Sequence, residues 1–349
     1  MAVRLPPELL LPILACLSPV DHARDAYYER QADLRACCLV SHTFRDLAQP
    51  LLERVVRLDT DHQVNAKQAG GRRRTMKRLV GTDSDGLTVE RVLSGAANIA
   101  ENVDDLRLSF FPGVPEYEEL AWQQLELFSN LRHLHLLSGG ILLSSAPTMD
   151  LPLVSLVLCE VWVGASVLAD VLQPAITPSL RAVVLHEVYG ESPSIAPGLL
   201  DRLEMLELDV DVYRSFPVAS AALGVPILLS VNSLSDEYTA ERTVVHNPLH
   251  LRLERLDGLL ETLAVLSRLR TLVLPHKLDP SNGDVERNGG EDLTECDELL
   301  ERDELLEACE QRGITVFWDD EAGEGEGEGM LSEAFWRYAQ GFKADQQDE

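Results

Sequence analysis

Leu131-Arg132-His133-Leu134-His135-Leu136, Leu153-Val154-Ser155-Leu156-Val157-Leu158, Leu180-Arg181-Ala182-Val183-Val184-Leu185 and Leu203-Glu204-Met205-Leu206-Glu207-Leu208 are four copies of one pattern, apolar at the first, fourth and sixth positions. They begin at 131, 153, 180 and 203, separations of 22, 27 and 23 residues. The fourth and sixth positions lie two apart, the period at which the side chains of a strand return to one face. One strand with its return segment cannot bury such leucines alone, whereas stacked neighbours make a continuous core. Val103/Leu106/Leu108 and Leu269/Leu272/Leu274 extend the pattern on both sides. Less regular candidates run over Leu52 to Leu58, Val225 to Val231 and Leu249 to Leu253, and Glu304 to Arg312 followed by Gly313 to Trp318 predicts a last helix and strand. The expected class is therefore α/β, with parallel strands joined by helical or irregular returns over residues 51–318.

The period and the leucine positions resemble those of leucine-rich repeats of the irregular kind. The Asn or Cys usual three residues after the sixth position is replaced by Gly139, Val161, Val188 and Asp211. The resemblance implies a solenoid without a regular asparagine ladder. With the leucines turned inward, the third, fifth and seventh positions are expected on an exposed strand surface. Its candidate substrate-binding residues are Arg107, His133, His135, Val157, Val184, Met205, Glu207 and Val273, an apolar middle with polar flanks that suits a protein partner. The alternative is that a loop, or a terminal helix carrying Phe335 and Trp336, covers that surface.

Ahead of the strands, Leu5 to Leu52 reads as a compact helical unit. Pro6 and Pro7 suit a helix start and Glu8 its positive end, while Leu9, Ile13 and Leu17 recur at i, i+4 and i+8. The spacing predicts a first helix ending near Ser18-Pro19, a second from Asp21 to Cys38, and a third from the N-cap Ser41 to Pro50. By periodicity alone the Leu9/Ile13/Leu17 stripe is an ordinary core face.

Two blocks in this unit resemble the signature blocks of the F-box, in the family's order. They are Leu5-Pro6-Pro7-Glu8-Leu9-Leu10-Leu11-Pro12-Ile13-Leu14-Ala15-Cys16-Leu17 and Leu39-Val40-Ser41-His42-Thr43-Phe44-Arg45-Asp46-Leu47-Ala48. The stretch between them, Ser18 to Leu34, is longer and more polar than the family's usual spacer. The resemblance covers residues 1–50 and implies that Leu5, Pro6, Leu9, Ile13, Leu17, Leu39, Val40 and Phe44 pack against the Skp adaptor of a cullin-based, SCF-type ubiquitin ligase. The chain is then expected to be a non-catalytic substrate receptor in the cytoplasm or nucleus, holding a protein substrate on its repeats. The alternative is an interaction scaffold in which the helical unit serves only as an N-terminal cap.

Composition narrows the remaining classes. The 349 residues carry a formal charge of -28, which disfavours nucleic acid as a partner. Ser281 to Glu349 holds 22 acidic and 5 basic residues, a net of -17, leaving -11 for the rest. Residues 319–349 form an acidic Gly/Glu tail in which Leu331, Phe335, Tyr338 and Phe342 suit a short terminal helix. His62 to Gly86, with Arg72-Arg73-Arg74 and Lys77-Arg78, reads as a mobile basic loop. The six cysteines form no CxxC pair, which favours a reducing compartment. Glu160, Asp170 and Pro152 argue against a membrane span in Leu151 to Leu172. Pro6, Pro7, Glu8, Pro12 and a single Arg4 argue against export with an anchor at Cys16. No nucleophile elbow, HExxH or phosphate-binding loop is present, so no enzyme activity, cofactor or metal is expected. His246 and His250 could share a helical face, but Pro248 lies between them and no third ligand is nearby.

Overall fold

The computed structural model describes residues 7–16, 24–60, 63–64, 77–82, 87–110, 117–137, 140–164, 166–190, 197–209, 227–231, 234–235, 237–246, 248–253, 255–256, 258–275 and 293–319. It is a mixed α/β chain with a small N-terminal helical region and a long parallel sheet of eleven strands. Two compact units divide at Leu180–Arg181, and the short strand at Tyr189–Gly190 belongs to the first. No helix among the described residues is long and apolar enough to cross a membrane.

The first unit opens with α1 (Pro7–Cys16), α2 (Arg24–Val40) and α3 (His42–Arg54). Ser41 caps α3 as its position before the apolar run predicts, its hydroxyl accepting from the Phe44 N–H at 3.2 Å. The expected stop at Pro50 is not found. A proline inside a helix removes one N–H and with it one backbone hydrogen bond. Here Leu51 and Leu52, directly after the proline, pack partly buried against the cluster of Leu14, Leu34, Cys38 and Ala48, and that packing carries α3 to Arg54.

The sheet then begins with β1 (Val55–Leu58) and β2 (Arg78–Thr82). Strand β2 corrects the reading of 62–86 as one mobile loop, since its Leu79 and Val80 are core residues. Their short apolar run follows the charged Lys77-Arg78, which hid the strand in the sequence. Residues 65–76 and 83–86 lie outside the described residues. Helix α4 (Val89–Ala96), capped by Thr88, returns the chain to β3 (Asp105–Ser109). A Cβ on Gly81 would lie 2.8 Å from Cγ1 of Val92, so α4 packs on β2 with no room for a methyl group. Next come β4 (Glu118–Leu120), α5 (Trp122–Leu125), β5 (His133–Leu137), β6 (Ile141–Leu143), β7 (Ser155–Cys159), β8 (Trp162–Val163) and α6 (Val167–Val171).

Register explains why leucine recurs. Val56, Leu79, Leu106, Leu134 and Leu156 stand in one cross-strand row, and Leu58, Gly81, Leu108, Leu136 and Leu158 in the next, all buried. The fourth and sixth positions of the pattern thus line one face, covered by returns whose Trp122, Leu125 and Phe128 are fully buried. The backbone repeats one joint as well. The N–H groups of Asp104 and Asp105 share the Lys77 carbonyl, those of Arg132 and His133 the Asp104 carbonyl, and those of Val154 and Ser155 the Arg132 carbonyl.

The second unit contains β9 (Ala182–His186), and with the two-residue β10 (Tyr189–Gly190) of the first unit the numbering runs on. It continues with α7 (Pro197–Leu200), β11 (Met205–Asp209), β12 (Ile227–Val231), α8 (Glu237–His246), β13 (His250–Leu253), α9 (Leu259–Leu263), β14 (Thr271–Pro275), α10 (Leu293–Arg312) and β15 (Thr315–Asp319). The last helix starts eleven residues before the expected Glu304. Leu305 and Cys309 of α10 join Leu251, Leu253, Leu272 and Leu274 in one core. Arg312 at its end donates to the carbonyls of Leu263 and, at 2.6 Å, Leu266, fastening α10 to the return behind α9. The chain stretch of the expected terminal helix and the Gly/Glu tract lies outside the described residues.

Besides the main sheet, β10, β8, β6 and β4 pair in that order as a short parallel sheet of the first unit.

Candidate docking surfaces

In the helical unit α1, α2 and α3 meet around Leu14, Leu34, Cys38 and Ala48, with Phe44, Leu47, Leu51 and Leu52 packed against them. Among the described residues of the unit, four large apolar side chains remain in water: Leu11 at 47%, Ile13 at 49%, Leu39 at 82% and Val40 at 67% exposure. The core stripe of α1 is therefore Leu10/Leu14, and Ile13 of the expected Leu9/Ile13/Leu17 stripe points away from it. Of the residues expected to meet an adaptor, Ile13, Leu39 and Val40 are exposed, while Phe44 is partly buried on the internal cluster. Leu5, Pro6 and Leu17, and the side chain of Leu9, lie outside the described residues. Covering an exposed Leu, Ile or Val gains about 1–2 kcal/mol each when a partner removes it from water.

The unit is also fastened to the sheet. Tyr28 of α2 donates to Asp59 Oδ2 at 2.8 Å and accepts from Gln63 Nε2 at 2.9 Å. Asp59 in turn holds the buried Arg57 at 2.8 Å and the Thr82 hydroxyl at 2.7 Å. Within the helical unit, Gln31 of α2 donates to the Leu52 carbonyl of α3 at 3.2 Å. Burial pushes the Tyr28 phenol up, and the neighbouring Asp59 carboxylate adds to that, so it stays a protonated donor.

The sheet face opposite the leucines was expected to be open. Instead Val157, Val184, Val273, Glu207 and His135 are buried, and Arg107, His133 and Met205 are partly so. In the second unit Met205, Leu228, Val273 and Phe317 form a small apolar cluster on this face. Strands about 4.8 Å apart set each such side chain between cross-strand neighbours, so a β-branched residue is covered by larger ones beside it.

Several polar groups of this face are paired, whereas the buried Ser109 hydroxyl has no hydrogen-bond partner. Arg78 Nε lies 2.5 Å from Asp105 Oδ2 and Arg107 Nε 3.1 Å from Oδ1. Burial of Asp105 opposes its ionisation, but the guanidinium groups of Arg107 and Arg78 outweigh it and hold the carboxyl down at about 2. His133 Nδ1 is 2.8 Å from the Ser155 hydroxyl. Within the second unit, Glu207 is fully buried, with Arg252 Nη1 at 2.9 Å and His186 Nε2 at 3.1 Å from the same Oε1. Burial works against its charge, and Arg252 wins, keeping Glu207 below the usual carboxylate range. His250 belongs to β13, its Nδ1 2.7 Å from the Thr271 hydroxyl, so it shares no helical face with His246.

A further cluster was not anticipated. Tyr117, Trp162 and Tyr189 pack as tilted rings on the short sheet, with ring centroids 5.0 and 5.1 Å apart and planes at 53° and 31°. The signal for it was present in Leu158-Cys159-Glu160-Val161-Trp162 and Leu185-His186-Glu187-Val188-Tyr189, a second recurrence directly after the leucine pattern.

In comparisons with known proteins, no family model matches the chain and no curated protein matches it.

Proposed function

We propose that the chain is a non-catalytic substrate receptor whose F-box-like helical unit docks the Skp adaptor of a cullin-based ubiquitin ligase. Its strands, read as an irregular leucine-rich-repeat solenoid, would then carry a protein substrate. The observation that carries this reading is the exposure of Leu39 and Val40, 82% and 67%, beside an internal cluster that is already complete. They fall in the second of the two F-box-like blocks, and Ile13, 49% exposed, falls in the first. Apolar anchors left open on a helical unit suit a partner that buries them. The receptor works by proximity: holding two reactants together raises their effective concentration with no chemistry by the tether. Partly exposed Arg107 and His133 are the polar contacts the strand face offers a substrate.

The cap reading has its own support. The network of Tyr28, Asp59, Arg57 and Thr82 joins the helical unit to β1 and β2, as a cap over the first strand would be joined. Co-purification of the tagged chain with the Skp adaptor separates the two. Wild type is expected to retain the adaptor, and a variant with Ile13→Asp and Leu39→Asp to lose it while keeping its far-UV circular dichroism. Absence of the adaptor from the wild-type eluate overturns the receptor reading and leaves the cap.

A further inference from the structure

We infer that the outer face of the short sheet is a docking site for an arginine-rich linear segment of a partner protein. Leu120, Ile141, Leu143 and Val163 are buried beneath this sheet. Alternation along each strand therefore sends Glu119, Leu142, Trp162 and Tyr189 to the other side. Those four are cross-strand partners in one row. Tyr117, two residues before Glu119, reaches past β6 to touch the Trp162 ring, which touches Tyr189 in turn. If these rings served only to hold four short strands together, packing would cover them. Tyr117 and Tyr189 instead keep 46% and 39% of their surface open.

The charge around the rings selects the occupant. Between Leu108 and Leu180 the sequence holds seven acidic residues and one basic residue, Arg132. Glu119 is exposed in the same row as the rings, and Glu160 is exposed two residues before Trp162. Glu160 has φ 53, left-handed backbone where glycine or asparagine is the low-cost choice. The next copy of the recurrence does the same, with Glu187 at φ 48 two residues before Tyr189. An acid is thus set at one unfavourable backbone position ahead of an aromatic ring, twice.

Aromatic faces attract cations, and a guanidinium both stacks on a ring and pairs with a carboxylate through its edge. Arginine uses both features of this face, whereas lysine offers a single point charge. Nucleic-acid bases also stack on rings, but their phosphates would meet carboxylates here. The site uses none of the apolar residues of the helical unit, so its test is independent of adaptor binding.

The test is fluorescence anisotropy of the full chain with a fluorescein-labelled peptide of alternating arginine and serine. Saturable binding is expected, weaker by about tenfold for Trp162→Ala and Tyr117→Ala and several-fold for Glu119→Gln. The same peptide with lysine in place of arginine should bind several-fold more weakly to wild type. Tyr117 precedes β4 rather than sitting in it, so Tyr117→Ala decides the matter should Trp162→Ala not fold. Equal binding by wild type and Tyr117→Ala means that the net charge of -28 captures the peptide non-specifically, and overturns the proposal. So does no binding at low salt, or tighter binding of a proline-rich peptide without arginine.

Discussion

Replacing Asp105 by Asn tests the electrostatics of the strand face at one atom pair. The carboxyl group, 7% exposed, sits between Arg78 at 2.5 Å and Arg107 at 3.1 Å. Its fall from 3.8 to about 2 on folding corresponds to ~2.5 kcal/mol, at about 1.4 kcal/mol per pH unit. Asn keeps the shape and loses the charge, and the guanidinium groups, 24% and 16% exposed, retain access to water. The expected loss at neutral pH is therefore ~2.5 kcal/mol, with little added for stranded cations. The pH dependence follows from the depressed value. The unfolded chain takes up the proton near 3.8 and the folded chain only near 2, so the advantage of wild type is complete above about pH 5, shrinks through that window and is gone below it. Urea unfolding followed by far-UV circular dichroism, at a series of pH values, measures the difference. Asp104→Asn is the control: its pair with Lys77 at 3.6 Å is 34% and 54% exposed, and its loss should cost under about 0.5 kcal/mol. A difference under about 0.5 kcal/mol for Asp105→Asn at pH 7, or one that persists undiminished at pH 2, refutes the reasoning.

Three further outcomes are expected. Glu207→Ala leaves Arg252 and His186 without their buried carboxylate and should cost about 3–5 kcal/mol in chemical denaturation, more than Glu207→Gln, which keeps a hydrogen-bonding group there. Burial holds His250 down at about 4, so the unfolded chain gains the proton first and stability falls as pH drops from about 6.5 to 4. His250→Gln should flatten that part of the denaturation-midpoint profile. Leu14→Ala, in the core of the helical unit, should cost about 2–4 kcal/mol, whereas Leu39→Ser should stay within about 0.5 kcal/mol in the same unfolding assay.

The leucine pattern was legible because each copy carries its own two-residue alternation, so Leu134/Leu136 and Leu156/Leu158 declare a strand without reference to any neighbour. The phase of α1 was not. With Leu9, Leu10, Leu11, Ile13 and Leu14 all apolar, both Leu9/Ile13 and Leu10/Leu14 satisfy a four-residue spacing, and only contact with Leu34 and Ala48 decides between them. The second sheet face was misjudged for a related reason. Alternation assigns Val157 and Val273 to that face, but whether a face is wet depends on what stands beside it in other strands. The pairs Glu207–Arg252 and Tyr28–Asp59 join residues 45 and 31 apart in sequence, beyond the reach of any local pattern. The aromatic row was hidden for another reason, its strands β8 and β10 being two residues long, too short to show an alternation.

Helix α3 ends at Arg54 and β1 begins at Val55, with no glycine or proline from Leu51 to Leu58. An α-helix turns about 100° and rises about 1.5 Å per residue. One residue added to the last turn of α3 would therefore swing the helices ahead of it about a quarter turn around the helix axis and carry Tyr28 away from Asp59. The bearing of Leu39 and Val40 relative to β1 is thus set by a residue count, as the thread of a screw sets where its slot comes to rest.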